Sequence, residues 1–136
     1  MSGELTVTAH VDASGPLAGP EAKRVVAEFE RRAAQKIADR GVEMLREFPM
    51  NKTGRARGGF QSSLKTVSRG QSVVIPGPKI RGVTWAPWLE GTTRRNQTTR
   101  FKGYHLFRKT RVRLDREATG IAERELEKYL AEIGGA

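Results

Sequence analysis

Two stretches of the chain place apolar residues at the spacing of a helix face. From Pro20 onward, apolar side chains recur every three or four positions, with one gap near Gly41. This spacing predicts a helix of about 28 residues, which begins near Pro20 and ends before Pro49. Its apolar positions are Ala22, Val26, Phe29, Ala33, Ile37, Met44 and Phe48.

A second helical stripe lies toward the end of the chain. Its positions are three or four residues apart, which predicts a long helix that ends at Gly134-Gly135. Gly120 weighs against one unbroken helix, because glycine is a poor helix former. The stripe comprises Leu106, Thr110, Leu114, Ala118, Ala122, Leu126, Tyr129 and Ile133.

Shorter segments alternate or are rich in β-formers, and they predict a small antiparallel sheet. Prolines 76, 78 and 87 indicate strand ends or edge positions there, because proline cannot donate to a ladder. The predicted strands are Leu5 to Val11, Phe60 to Ser68, and a hairpin of Ser72–Ile75 with Ile80–Trp88.

Residues 91–102, here called the polar loop, have no periodicity and few apolar side chains, which indicates a segment that orders on assembly. The whole pattern predicts an α+β fold: a small antiparallel sheet with one long helix in the N-terminal half and one long C-terminal helix. We expect residues 1–136 to form a single domain.

Charge is unevenly distributed along the chain. Residues 50–114 carry 15 basic residues and one acidic residue, Glu90, whereas the segments on either side are mildly acidic. Such a block attracts a polyanion or an acidic protein surface.

Candidate chemistry is sparse. The chain has no cysteine and only two histidines, too few for a zinc or iron site, so we expect no metal and no cofactor. Glu90 and His105 are a weak acid–base candidate, and no phosphate-binding or nucleophile motif is present, so we expect no enzyme and no small-molecule substrate. No apolar run is long enough for a membrane helix, and the first ten residues lack the features of a signal peptide.

One interpretation of the basic block is a stand-alone nucleic-acid-binding protein. Its arginines and lysines are suited to phosphates, and the aromatic residues between them are suited to stacking on bases. No zinc finger, RNA-recognition signature or basic zipper supports this interpretation, so it remains an alternative.

Three motifs in order suggest another family. They are Phe48-Pro49 leading to Thr53-Gly54-Arg55; then Trp85-Ala-Pro-Trp-Leu-Glu-Gly-Thr92; then His105-Leu-Phe-Arg108. This order resembles the neck or tail-completion proteins, often described as minor tail components, of long-tailed double-stranded DNA phages. The resemblance covers residues 20 to 133, and it departs from the family pattern at Asn51-Lys52, Ala56 and Lys109-Thr110.

The resemblance implies a structural virion protein that is made in the bacterial cytoplasm and assembles in the phage neck. It would form a ring, expected to have six subunits, between the head connector or head-closure protein and the tail terminator or tail tube. Genomic double-stranded DNA would pass through the ring. We expect Arg108 to pair with Glu90. The subunit-interface candidates are Trp88, Glu90, Arg94, Arg95, Arg100, Lys102 and Arg108, and the candidates for facing DNA are Arg55, Arg57, Arg111 and Arg113.

Overall fold

The computed structural model describes residues 3–11, 20–50, 57–80 and 82–134. Its helices are α1 (Pro20–Glu47), α2 (Arg57–Phe60), α3 (Ala86–Glu90), α4 (Arg94–Thr98) and α5 (Leu106–Gly134). Its strands are β1 (Leu5–Val7), β2 (Val67–Arg69), β3 (Ser72–Ile75), β4 (Lys79–Ile80) and β5 (Val83–Thr84). Two long helices and small antiparallel sheets confirm the predicted α+β class.

Helices α1 and α5 lie side by side in opposite directions. Arg32 near the start of α1 pairs with Glu132 near the end of α5, and Arg40 further along α1 pairs with Glu117. Helix α1 begins at Pro20 and has the predicted length of 28 residues. Helix α5 runs unbroken for 29 residues and passes through Gly120.

Gly41 explains the gap in the apolar pattern of α1. It is buried, and a Cβ placed there would lie 2.9 Å from Cδ1 of Ile75 and 3.1 Å from Cδ2 of Leu114. Helix α1 therefore crosses β3 and α5 at a distance that leaves no room for a side chain. The gap in the apolar pattern at Gly41 therefore marks a close contact of α1 with β3 and α5, and it does not mark a break in the helix.

The central sheet has the strand order β1-β3-β2, and both pairings are antiparallel. Leu5 lies opposite Ile75, and Ser68 lies opposite Val73, so β3 is covered along both edges. Val73, Val74 and Ile75 are buried, in keeping with a central strand rich in β-branched residues. Strands β4 and β5 form a separate two-stranded ribbon.

The strand predictions were partly wrong. The first strand ends at Val7 rather than Val11. Residues 57–60 form α2, and the predicted strand Phe60–Ser68 is extended only from Val67 onward. The predicted hairpin paired β3 with residues 80–88, but β3 pairs with β2. Residues 86–88 belong to α3, because Pro87 fits the first turn of a helix as well as it fits a strand end.

The core has two parts along the α1–α5 pair. The larger part includes Phe60 and Phe107, whose rings meet edge to face with centroids 6.4 Å apart. The smaller part joins Phe29, Ala33 and Tyr129. These clusters bury most of the α1 stripe and the first half of the α5 stripe.

The end of the predicted α5 stripe is only partly buried. Leu126 is 38% exposed and Ile133 is 51% exposed, whereas Tyr129 between them is buried. Positions four residues apart advance about 40° around a helix with 3.6 residues per turn. The predicted stripe therefore turns away from α1, and the buried side continues through Glu125 and Tyr129 instead.

Candidate assembly site

The segment from Trp85 to Arg108, here called the Glu90 corner, contains all seven predicted interface residues. Helix α3 occupies its first part: the N–H of Leu89 donates to the carbonyl of Trp85 at 2.9 Å. Helix α3 ends at Gly91, whose left-handed φ of 100° suits glycine. The N–H groups of Gly91 and Thr92 both donate to the carbonyl of Pro87 at 2.9 Å.

Gly91 and Gly103 bring the two ends of the polar loop into contact. A Cβ on Gly91 would collide with the carbonyl oxygen of Lys102, and a Cβ on Gly103 would collide with the backbone of Gly91. The N–H of Tyr104 donates to the carbonyl of Leu89 at 2.6 Å and closes the corner. Two backbones can approach this closely only where neither residue carries a side chain.

The polar loop is folded, contrary to its prediction as an irregular segment. It contains α4, whose first turn is capped reciprocally by Thr93 and Asn96. The side chain of Asn96 is 2% exposed, and its amide donates to the carbonyls of Trp88 and Phe101 at 3.1 Å each. One buried amide therefore ties α3, α4 and the end of the loop together.

Lys102 also stabilises the corner. Its ammonium donates to the carbonyls of Asn96 and Gln97 at 3.0 Å each, at the C-terminal end of α4. A cation at this end of a helix satisfies carbonyls that have no partner within the helix. These hydrogen bonds hold its ammonium at the end of α4, and the contact of Lys102 with another subunit stays a prediction.

Glu90 caps the N-terminus of α5. Its side chain is 2% exposed, and its two oxygens accept hydrogen bonds from the N–H of Phe107 at 2.8 Å and of Arg108 at 3.1 Å. These are among the first N–H groups of α5, which lack partners within the helix and carry the positive end of its dipole. A buried carboxylate is thereby stabilised without a cationic side chain.

This cap differs from the expected contact between Glu90 and Arg108. We expected the guanidinium of Arg108 to pair with the carboxylate, but the carboxylate accepts from the backbone N–H of Arg108 instead. The side chain of Arg108 is exposed and makes no ion pair with the described residues. His105, at φ 55°, directs the chain into α5.

The aromatic side chains of the corner pack against one another. The ring of Phe101 lies 5.0 Å from Trp88 and 5.0 Å from Tyr104, centroid to centroid. The guanidinium of Arg95 lies over Trp88, 5.7 Å from the ring centroid. These contacts join the two ends of the polar loop.

Most of the remaining predicted cations are exposed. Arg94, Arg95 and Arg100 project from α4 or the residues after it, and none of them makes an ion pair within the described chain. Arg111 and Arg113 are exposed on α5, where Arg113 lies 3.9 Å from Glu117. Arg55 lies outside the described residues. Arg57 begins α2, but its side chain is not described.

The described part of the chain offers little for metal or cofactor chemistry. It has no group of three His, Cys, Asp or Glu side chains that could hold a metal ion. An open cleft of about 400 Å³ lies at α1 and the segment before β2, lined by Asp39, Val42, Glu43, Arg46, Lys65 and Thr66. None of the helices in the described ranges is long and apolar enough to cross a membrane.

Two residues of the corner were missed in the sequence. Asn96 has a detectable signal, since Thr93-Arg-Arg-Asn96 has the spacing of a capping pair. Gly103 has none, because its role depends on Gly91, which lies twelve positions earlier in the chain. Comparison with protein-family models, with curated proteins and with solved structures gave no match.

Proposed function

We propose that this chain is a structural ring subunit in the neck of a long-tailed phage, where it joins the head connector to the tail and encloses the passing DNA. The observation that carries the proposal is the cap formed by Glu90. It joins the motif Trp85–Thr92 to the motif His105–Arg108, so two of the three motifs of the resemblance make one structural unit. The third motif lies largely outside the described residues.

The charge of the corner supports a protein partner. Arg94 and Arg100 are exposed and unpaired within the described chain; Arg94 begins α4, whose cap and C-terminus are both fixed by hydrogen bonds, and Arg100 follows that helix. Exposed carboxylates lie on α1, among them Glu21, Asp39 and Glu47. A contact between the corner of one subunit and α1 of the next joins two different surfaces, and contacts of this kind close into rings.

The aromatic packing favours assembly over stand-alone recognition of nucleic acid. Trp88, Phe101 and Tyr104 are half-buried and lie against one another, so their rings are not free platforms for bases. Arg111 and Arg113 remain exposed for weak contact with DNA in the lumen. In this arrangement DNA contact accompanies assembly and does not replace it.

Electron microscopy of the purified protein, alone and in phage lysate, tests the proposal. We expect rings or neck density from the wild-type protein. The double variant Arg94→Glu/Arg100→Glu should remain folded and fail to form rings, because both charges project from the corner.

The matched control is Arg69→Glu/Lys79→Glu, which reverses two exposed cations that lie outside both the corner and α1 and make no ion pair within the described residues. We expect it to keep its rings. A wild-type protein that stays monomeric, is absent from virions and binds duplex DNA with a steep salt dependence would support the nucleic-acid alternative instead.

A further inference from the structure

Helix α5 has an exposed apolar side that no described part of the chain covers. Val112, Leu126, Leu130 and Ile133 are 51%, 38%, 54% and 51% exposed, respectively. They are four of the six large apolar side chains that are exposed in the described residues. All four fall on one side of the helix at 3.6 residues per turn, away from the side that buries Leu114.

The spacing of this side is that of a coiled-coil seam. Successive positions alternate between steps of four and three residues, which is the heptad pattern of two helices that pack at a small angle. We call these positions the α5 seam; they are Val112, Arg116, Thr119, Glu123, Leu126, Leu130 and Ile133. Four of these seven positions are apolar and exposed, and Arg116, Thr119 and Glu123 are polar, so the seam has room for a second helix with both apolar and charged contacts.

Charge along the α5 seam identifies the second helix. The first half of the seam is flanked by exposed Arg108, Lys109 and Arg116, with Asp115 as the acidic exception. The second half carries exposed Glu123 and Glu127 beside the apolar positions, and its exposed cations Arg124 and Lys128 lie about 120–160° around the helix from Val112. An antiparallel copy of the same helix sets each basic half against an acidic half, whereas a parallel copy sets like charges together.

We propose that two copies of this chain associate through an antiparallel pair of α5 helices. One register sets Val112 against Leu130 of the second copy and Thr119 against Glu123 of the second copy. In that register Arg116 lies within one turn of Glu127 of the second copy. The contact has a twofold axis, so it stops at two chains.

This pairing is independent of the proposed ring. A ring needs contacts between two different surfaces, whereas the α5 seam meets itself. Substitutions on α5 therefore test the pair, and substitutions at Arg94 and Arg100 test the ring. Either proposal can fail without the other.

Cross-linking gives the sharpest test, because the chain contains no cysteine. A mixture of Val112→Cys chains and Leu130→Cys chains should form a disulfide-linked dimer under mild oxidation. Val112→Cys chains alone should not, because an antiparallel pair separates the two copies of residue 112. Cross-linking of Val112→Cys chains to one another would overturn the antiparallel arrangement.

Sedimentation at increasing protein concentration measures the strength of the pair. Leu130→Lys should raise the dissociation constant at least about tenfold, because it removes an apolar contact twice in each dimer. Val67→Lys is the control, since Val67 is 39% exposed on β2 and lies outside the seam. Circular dichroism verifies that both variants keep their helices.

Exchanging the charges of Arg116 and Glu127 distinguishes the specific antiparallel dimer from nonspecific association of exposed apolar side chains. Arg116→Glu and Glu127→Lys should each weaken the dimer, and the double variant should restore it. A wild-type protein that sediments as a monomer at every concentration would overturn the proposal, as would a Leu130→Lys variant that dimerises like the wild type.

Discussion

Glu90 and Phe107 are joined by a 2.8 Å hydrogen bond from the backbone N–H of Phe107 to the buried carboxylate of Glu90. The acceptor is supplied from 17 positions earlier in the chain. The cap of a 29-residue helix thus comes from the end of α3, and the position of α5 depends on the folding of the Glu90 corner.

Replacing Glu90 with Gln should lower the free energy of unfolding by about 1–3 kcal/mol. The Gln side chain keeps one oxygen that can accept a hydrogen bond. Its NH2 group faces the other backbone N–H donor of α5, with which it cannot form a hydrogen bond. Urea denaturation measures the change. Glu4→Gln is the control, since Glu4 makes no hydrogen bond or ion pair within the described residues and its replacement should change stability by less than about 0.5 kcal/mol. Equal effects of the two substitutions would mean that Glu90 does not cap the helix.

Gly91→Ala and Gly103→Ala should each destabilise the protein by more than about 3 kcal/mol. The new methyl group would collide with backbone atoms, and alanine is also strained at the positive φ of both positions. Gly70→Ala separates the two causes. Gly70 has a φ of 59°, and no atom lies within 4 Å of the place its new methyl group would take, so only the conformational cost applies. That cost is about 1–2 kcal/mol. Thermal unfolding should rank Gly70→Ala well above the other two in stability.

Asn96→Ala should lower the free energy of unfolding by about 2–3 kcal/mol, because it removes a helix cap and leaves two carbonyls without their amide donor. Asn96→Asp keeps an acceptor for the cap but places a carboxylate beside the carbonyls of Trp88 and Phe101. We therefore expect Asp to be no better tolerated than Ala. Unfolding followed by tryptophan fluorescence reports on this site, and an Asp variant with wild-type stability would show that capping alone matters.

The ion pair between Arg40 and Glu117 should make stability depend on acid pH. The hydrogen bond from Arg40 lowers the pKa of Glu117 below its ordinary value of 4.5, and the positive charges of Arg40 and Arg113 add to this effect. A carboxylate with a lowered pKa in the folded state stabilises the protein above its unfolded pKa. That stabilisation is lost as the pH falls through the lower, folded value.

The variant Glu117→Gln tests this dependence. Its stability should fall below that of the wild type near neutral pH and converge on it at acid pH, below the lowered folded pKa of Glu117, where the wild-type carboxylate is protonated. Urea denaturation across this pH range gives the comparison. A difference that persists unchanged at the acid end would assign the effect to packing rather than to charge.

Helices α1 and α5 could be predicted because their apolar residues recur every three or four positions over many turns. Such a repeat identifies both the helix and the side that it buries. Pro20 and Pro49 also bracket α1 in the sequence. The short elements were harder. Pro87 is compatible with a strand end or a first helical turn, and only the packing of Leu89 and Ala86 into the core decides between them.

The sequence predicted that Glu90 and Arg108 meet, but not the contact through which they do so. The sequence shows one acid in a basic block, which suggests that Glu90 pairs with a cationic side chain. Its partners are the backbone N–H groups of Phe107 and Arg108. A sequence does not show which backbone N–H groups lack a partner within their own helix. The hydrogen bonds of Lys102 were not predicted for the same reason, since its acceptors are carbonyls at the end of α4.

The antiparallel pairing of α1 with α5 also governs the order in which the chain can fold. Its hydrogen bonds join residues 77 to 101 positions apart, whereas the cap of Glu90 spans 17 and the amide of Asn96 spans 8 or fewer. Short loops close at a lower entropic cost, so we expect residues 85–108 to form an early local nucleus. On the ribosome, α1 keeps its apolar side uncovered until α5 has been made, and that interval is when the chain is most exposed to aggregation.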